Sequence, residues 1–321
     1  RLIGAHAMLV EKVHVAKMVF GASGNERSFG VEERARVWAK NHQPPHVLVM
    51  TATPIPRTLA MTLYGDLDVS VIDEMPPGRK PIITKHLYEP HRLAMFGSLK
   101  KEIAKGRQVY VVYPLIKESE KMDYQNLYAG YEIMSSEFPL PEYRLSAVHG
   151  KMTPEDKNEG MRAFKEGETQ IMVATSVIEV GVDVPNATVM VIESAERFGL
   201  SQLHQLRGRV GRGGEQSYCI LMSGNKLSRD AQARLDAMVE TNDGFRLSEL
   251  DLKLRGAGDI SGTQQSGTAF DLKIASIARD SATIEVARRA AGAILEEDPT
   301  LASPENIMLA KLRERYEGHS R

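Results

Sequence analysis

The sequence predicts an α/β fold, and two observations support this class. Short apolar runs alternate along the chain with segments of helical amphipathic spacing, as in layered α/β proteins with parallel sheets. The 321 residues are 42% hydrophobic and 26% charged, which provides apolar material for two or three compact units. We expect parallel-sheet domains first, followed by a helical hairpin and C-terminal helices.

The first predicted unit spans residues 1–80. Residues 47–50 form an apolar run that delivers Thr51-Ala-Thr53 at its carboxyl end, where Pro54 and Pro56 favour the start of a helix. Residues 69–72 are a second candidate strand. The sequence Pro76-Pro-Gly-Arg-Lys-Pro81 then predicts a stiff linker.

The second predicted unit spans residues 81–225 and has the pattern of a parallel sheet with intervening helices. Thr153, followed by Pro154 and Glu155, predicts a capped helix start. Residues 118–123 predict a polar loop. The apolar runs that predict strands are residues 109–112, 145–148, 171–174, 189–192 and 218–221.

The third predicted unit, residues 226–321, is helical. Two helices, residues 228–240 and 245–254, are joined at Asn242-Asp-Gly244 and predict a hairpin. A Gly-rich segment, residues 256–267, is too long and polar for a simple turn. Two C-terminal helices are predicted over residues 275–297 and 304–316.

Charge and cysteine content add little about function. The formal net charge of -1 gives no global basic field, although local grooves in a neutral protein can bind nucleic acid. The single cysteine, Cys219, excludes an intrachain disulfide and predicts a buried thiol. No apolar run has membrane-spanning length, so we expect a cytoplasmic protein.

Polar side chains follow several predicted strands, where parallel α/β sheets bind ligands. These side chains are Thr51, Thr53, His149, Thr175 and Asp183. Ser, Thr and Asp also cap helices at such positions. For Thr175 capping is an alternative interpretation, and for Thr153 it is the main one.

The segment Gln205-Leu-Arg-Gly-Arg-Val-Gly-Arg212 carries the strongest chemical signal. In a short helix, Gln205, Arg209 and Arg212 would lie on one face, and the glycines would allow close approach. Two guanidiniums and an amide suit a polyphosphate whose charge grows in the transition state. The alternative is a solvated, arginine-rich helix end.

These segments together resemble the RecA-like superfamily 2 helicase motors. The segment from Gln205 to Arg212 resembles their last helicase motif, Thr51-Ala-Thr53 the Ser/Thr-Ala-Thr motif, and residues 174–185 the motif that couples nucleotide to nucleic acid. The longer strings, residues 51–68 and 76–81, resemble the RecG family of branched-DNA translocases. Residues 250–259 and 262–267 resemble the translocation element that this family shares with the transcription-repair coupling factors.

The resemblance implies a role for each matching residue. Arg209 and Arg212 would reach the γ-phosphate of ATP, with Arg212 as the arginine finger, and Gln205 would orient water or phosphate. Asp183 would bind ribose or relay domain closure, and Gly181 would permit close approach. The residues implied to contact DNA or couple it to the nucleotide are Thr51, Thr53, His149, Thr175, Arg255, Gln264 and Gln265.

Two departures from the family pattern limit these expectations. The sequence has no G-x-x-x-x-G-K-[ST] loop to hold the β-phosphate. Residues 24–28 read Gly-Asn-Glu-Arg-Ser where the family carries Asp-Glu-Gln-His-Arg, so no metal ligand is assigned. We therefore expect a C-terminal motor fragment that does not hydrolyse ATP alone, within a larger protein that uses ATP and Mg²⁺.

The resemblance also implies branched DNA as the main partner, with single-strand-binding protein as a further one. We expect a monomer, associated with the bacterial nucleoid. Two alternatives stay open: a translocase like the transcription-repair coupling factor, and a non-catalytic DNA- or partner-binding module with a degenerate metal site.

Overall fold

The computed structural model describes residues 20–23, 46–50, 70–72, 74–114, 120–175, 183–255 and 280–317. Contacts group the chain into two units: residues 1–49, 55–70 and 255–321 form one, and residues 50–54 and 71–254 form the other. The division into domains at residues 80 and 225 stays a prediction. Within the described residues, no helix is both long and apolar enough to span a membrane.

The first unit contains a small parallel pair of strands, β1 (Phe20–Ser23) and β2 (His46–Val49). The predicted strand at residues 47–50 is therefore confirmed with a shift of one residue. Residues 70–72 are not a strand, in contrast to the prediction for residues 69–72. A short apolar run cannot form a strand unless a neighbouring strand satisfies its backbone groups.

The second unit is built on a parallel sheet. All five predicted strands are present, and one strand, β3, was missed. Within the described part of this unit the strand order is β3-β8-β7-β4-β6-β5, and each neighbouring pair is parallel. The strands are β3 (Ile83–Tyr88), β4 (Gln108–Tyr113), β5 (Leu145–Val148), β6 (Ile171–Thr175), β7 (Ala187–Ile192) and β8 (Tyr218–Ser223).

Helices connect most of the strands and supply the C-terminal part. The predicted cap at Thr153 is confirmed, because its side chain accepts a hydrogen bond from the Asp156 backbone N–H at 3.1 Å. The helices are α1 (Arg92–Ala104), α2 (Glu120–Glu137), α3 (Pro154–Lys165), α4 (Leu200–Arg207), α5 (Arg229–Glu240), α6 (Gly244–Arg255), α7 (Ser281–Glu297) and α8 (Ile307–Glu317).

One loop prediction and the start of one predicted helix need correction. The polar loop predicted for residues 118–123 is wrong from Glu120 onward, because α2 begins there. Charged residues such as Glu and Lys are good helix formers, so polarity alone did not indicate a loop. The helix predicted from residue 304 begins at Ile307. Helix α7 begins at Ser281, and residues 256–279, which include its predicted start at residue 275, lie outside the described residues.

The sheet of the second unit is covered on both faces. Alternate residues of β4 enter different core clusters: Tyr110 and Val112 join one, and Val109 and Val111 join the other. The first cluster also contains Leu235 and Met238 of α5 and Leu247 of α6, so the helical hairpin packs in the same core as the sheet. Cys219 is completely buried there, as predicted, and burial raises the pKa of its thiol to about 12.

Candidate nucleotide-phosphate site

The arginine-rich segment is not one helix. Helix α4 ends at Arg207, and Gly208 caps it with a hydrogen bond from its backbone N–H to the His204 carbonyl at 3.0 Å. Gly211 has a φ of +76°, a conformation that disfavours side-chain-bearing residues and ends helical geometry. The predicted helical spacing from Gln205 to Arg212 is therefore wrong beyond Arg207.

Arg209 and Arg212 instead lie on a loop, residues 208–217, which we call the arginine loop. Three features fix its path. Val210 is completely buried, the Arg79 Nε donates to the Gly211 carbonyl at 2.9 Å, and the Gln216 Nε2 donates to the Pro81 carbonyl at 2.8 Å. The loop is thus fastened to the segment that precedes β3.

Glycine is required by close backbone approach at one point of the arginine loop. A Cβ atom added at Gly213 would lie 2.9 Å from the Pro185 carbonyl oxygen, whereas one added at Gly214 would meet nothing within 4 Å. Since the Pro185 oxygen belongs to backbone, the contact cannot be relieved by a side-chain rotation. The loop therefore lies directly against the chain that leads into β7.

Arg212 itself keeps most of its hydrogen-bonding capacity. Its Nη1 donates to the Asp183 Oδ1 at 3.3 Å, and the two side chains are 33% and 61% exposed. An exposed ion pair of this kind contributes roughly 0–1 kcal/mol. The guanidinium can therefore exchange this carboxylate for a phosphate at little cost, because it offers five N–H donors.

Tyr110, which sequence reasoning missed, shares the electrostatic environment of this site. Burial raises the pKa of the Tyr110 phenol to about 12, while the positive charges of Arg209 and Arg212 act to lower it and Asp183 acts to raise it. Only its place on an apolar strand is visible in the sequence. The 3.3 Å hydrogen bond between Arg212 and Asp183 places these two charges together, and Tyr110 lies within range of both.

The predicted ligand residues lie at two opposite ends of the sheet: some at the carboxyl ends of strands and one near an amino end. His149 and Thr175 do lie at the carboxyl ends of β5 and β6, which are paired. Asp183 was expected at a carboxyl end too, but it lies just before the amino end of β7. Because β6 and β7 are both parallel to β4, the end of β6 and the start of β7 lie at opposite ends of the sheet, and Asp183 lies four residues before the start of β7.

The carboxyl ends of β5 and β6, which we call the carboxyl edge, have two lysines close to His149. Burial lowers the pKa of His149, and the charges of Lys157 and Lys151 act in the same direction. Lys157 Nζ also donates to the Gly150 carbonyl at 2.8 Å. The hydroxyl of Thr175 is buried and has no hydrogen-bond partner among the described residues. A neutral imidazole beside two lysines forms a small positive surface here.

Of the remaining predicted residues, five lie outside the described residues and two lie on helices. Thr51, Thr53 and Gly181 lie outside the described residues, as do Gln264 and Gln265. Arg255 is the last residue of α6. Gln205 lies within α4, partly buried. Their roles stay predictions.

Arg207, in the same arginine-rich segment, was not assigned a role from the sequence. It is only 2% exposed. Its Nη1 donates to the carbonyls of Met238 and Thr241 at 2.9 and 2.8 Å, and its Nη2 donates to the His204 Nδ1 at 3.1 Å. It ties the end of α4 to the end of α5 and is not free to meet a ligand.

Family models match two segments of the chain. Residues 94–214 match the helicase conserved C-terminal domain, and residues 241–317 match the C-terminal part of domain 3 of the ATP-dependent DNA helicase RecG. The first match includes strands β4 to β7 and the arginine loop as far as Gly214. Over nearly its whole length the chain is homologous to RecG helicases.

Individual proteins similar to this chain are also RecG helicases. The chain is 48% identical to RecG of Synechocystis sp. over 98% of its own length and 37% of that protein. It is 46% identical to RecG of Bacillus subtilis over 96% of the chain and 45% of that protein. A solved structure of RecG bound to a three-way DNA junction is 40% identical, with a TM-score of 0.64, over 88% of this chain and 36% of that one. The chain therefore spans about two fifths of the length of these relatives.

Proposed function

We propose that this chain is the C-terminal motor part of an ATP-dependent DNA helicase that remodels branched DNA, such as stalled forks and Holliday junctions, in recombination and repair. The observation that carries the proposal is the exposed guanidinium of Arg212, which has a single 3.3 Å hydrogen bond among the described residues although its loop is firmly fastened. The homology to RecG supplies the reaction and the class of substrate.

In this proposal the arginine loop binds the terminal phosphate of ATP. Arg212 leaves Asp183 and donates to the phosphate oxygens, and Arg209 on the same loop supplies a second guanidinium. Charge on those oxygens changes during transfer, and an arginine already bound to them stabilises that charge without moving at the moment of reaction. The released Asp183 carboxylate can then accept a hydrogen bond from a ribose hydroxyl.

ATP brings the scissile phosphoanhydride, and Mg²⁺ neutralises its phosphate charge. We assign no Mg²⁺ ligand to this chain, because residues 24–28 lack the acidic pair of the family. In the part of the chain that the structure describes, no group of three or more His, Cys, Asp or Glu side chains is placed to hold a metal ion. The metal and the β-phosphate loop belong to the longer protein in this proposal.

The carboxyl edge is proposed to contact the DNA backbone. The turn at His149 and Gly150 has Lys151 and Lys157 beside it, and phosphate contacts of this kind require positive charge but no base recognition. The Thr175 hydroxyl on the next strand is buried and would have to become exposed to add a donor. Thr51 and Thr53 would transmit the state of the ATP site, and Arg255, Gln264 and Gln265 would move the DNA strand.

We further propose that the enzyme is monomeric, cytoplasmic and associated with the nucleoid, and that it also binds single-strand-binding protein.

A second function is favoured by residues 24–28, which lack the acidic pair. In that case the chain would be a DNA- or partner-binding module that kept the motor fold without catalysis. A motor like the transcription-repair coupling factors is a weaker candidate, because the model that matches residues 241–317 is that of RecG.

The experiment that tests the proposal uses the full-length protein that contains this chain. ATP hydrolysis and unwinding are measured with a three-way junction and with a linear duplex of the same length. Both are measured at the same salt concentration, since backbone contacts depend steeply on salt. We expect the junction to stimulate hydrolysis and to be unwound. Junction binding without hydrolysis would favour the non-catalytic module. The isolated 321-residue chain is expected to be inactive, and turnover by it would contradict our assignment of the missing parts.

A further inference from the structure

The segment before β3 contacts the arginine loop at three points. Arg79 Nε donates to the Gly211 carbonyl at 2.9 Å, and the Pro81 carbonyl accepts from Gln216 at 2.8 Å. The Ile82 side chain covers Gly211 so closely that an added Cβ atom would lie 3.0 Å from its Cγ1. Arg79, Pro81 and Ile82 therefore form a strap across the loop, and all belong to the same unit.

The position of the Arg79 bond matters for Arg212. The Gly211 carbonyl belongs to the peptide that joins Gly211 to Arg212, and a peptide is planar. A hydrogen bond on that oxygen fixes the plane and hence the direction in which the Arg212 backbone leaves Gly211. Because Gly211 has a φ of +76° and lacks a Cβ, its own conformational freedom would otherwise be large.

Arg79 acts on the loop through this hydrogen bond and not through its charge alone. Its own backbone N–H donates to the Pro76 carbonyl at 3.3 Å in the turn that starts the strap, and its side chain is partly buried. Lys80, the next residue, is exposed and carries the same charge. A long-range electrostatic effect would be shared by both residues, whereas the hydrogen bond to Gly211 belongs to Arg79.

We propose that Arg79 is a positioning residue for Arg212. It holds the peptide before Arg212, so that the backbone of Arg212 is in place before ATP arrives and only the side chain has to move from Asp183 to the phosphate. This inference rests on the proposed function of the arginine loop. It predicts that Arg79 affects the chemical step and not the binding of nucleotide, because a misdirected guanidinium lowers transition-state stabilisation.

The test uses the full-length protein with saturating junction DNA and measures kcat and KM for ATP. Arg79→Ala is expected to lower kcat about tenfold, as expected for about 1.4 kcal/mol of lost stabilisation, with KM changed less than about threefold. Arg79→Lys keeps the charge but not the planar fork and is expected to be intermediate. Lys80→Ala is the matched control and should leave kcat unchanged. An equal loss with Lys80→Ala would overturn the proposal.

A double-mutant cycle with Arg212→Ala separates positioning from a general structural role. If Arg79 acts through Arg212, Arg79→Ala should change kcat less than about twofold once Arg212 is absent. The same tenfold loss in both backgrounds would overturn the proposal. If Arg212→Ala lowers kcat and Arg79→Ala does not, only this inference fails. If Arg212→Ala leaves kcat unchanged, the proposed function of the loop fails first.

Discussion

Arg207 and Arg212 lie five positions apart in one arginine-rich segment, but the structure places them in opposite surroundings. Arg207 is 2% exposed, and its guanidinium donates to two carbonyls at the end of α5 and to His204. Arg212 is 33% exposed in its side chain and has one 3.3 Å bond to an exposed carboxylate.

This difference separates stability from ligand binding within a single motif. A buried guanidinium with satisfied donors cannot move without leaving carbonyls unpaired. An exposed guanidinium on a fastened loop can change partners at little cost. We therefore expect substitutions at the two positions to affect different measurements.

The largest effect is expected at Arg212. In the full-length protein, Arg212→Ala should lower kcat for ATP by about 10³-fold or more, the range of arginine fingers in phosphoryl transfer. Junction affinity at fixed salt should change less than about threefold, because the residue acts on the transition state. Turnover and junction binding are measured on the same preparation. A parallel loss of DNA affinity would place Arg212 on the DNA path.

Arg207 should give the opposite result. Arg207→Met keeps the length of the side chain but leaves the Met238 and Thr241 carbonyls without their buried donor. We expect a loss of about 3 kcal/mol in unfolding free energy, against less than about 0.5 kcal/mol for Arg212→Met at the exposed site. Urea unfolding followed by alkylation of the buried Cys219, mapped by mass spectrometry, reports on this unit. Similar midpoints for both variants would contradict the comparison.

The sequence predicted strands well where both faces of the strand are covered, and it missed a strand where one side is exposed. Runs such as residues 109–112 are apolar because both faces of β4 are covered. In β3, the edge strand, Ile83 is exposed, Thr84 is buried, and Lys85 and His86 follow. Edge strands commonly carry charged residues, so no apolar run marked this strand.

The site was less predictable for a related reason. The sequence identifies the arginines, but it does not show that the helix ends at Arg207 or that Arg79, 132 residues before Gly211, reaches the Gly211 carbonyl. Such long-range contacts leave no periodic signal. The string Pro76-Pro-Gly-Arg-Lys-Pro81 predicted only a stiff linker, and its role against the arginine loop is visible only in the folded chain.

Adjacent glycines of the arginine loop offer a finer test. Gly213→Ala would place a Cβ 2.9 Å from the Pro185 carbonyl oxygen, while Gly214→Ala meets nothing within 4 Å. We expect Gly213→Ala to shift the loop and lower kcat about tenfold, with Gly214→Ala close to wild type as the matched control. Steady-state ATP hydrolysis of both variants decides the matter. Equal activity would mean that the loop position is not critical for Arg212.

The smallest expected effect is a pH dependence of the unfolding free energy, caused by His204 beside the buried Arg207. Burial lowers the pKa of His204 to about 4, and the charge of Arg207 acts in the same direction. Since Arg207 can only donate, His204 must accept through Nδ1 as a neutral ring. The unfolded chain binds a proton near its ordinary pKa of about 6.5, so the unfolded state holds more protons between about pH 4 and pH 6.5. Stability is then fully present above about pH 6.5 and falls as the pH is lowered toward 4.

We expect His204 to account for about 1 kcal/mol of that decrease. His204→Gln keeps a side-chain oxygen that can accept from Arg207 but removes the titration, so its stability should change less between pH 7 and pH 5 than that of the wild type. Urea unfolding at the two pH values measures the difference. His86 is a suitable control position, because burial lowers its pKa too but it contacts Ser223, not Arg207. If His204→Gln retains the full pH dependence, the titrating group lies elsewhere and the neutral imidazole is not part of what holds Arg207 in place.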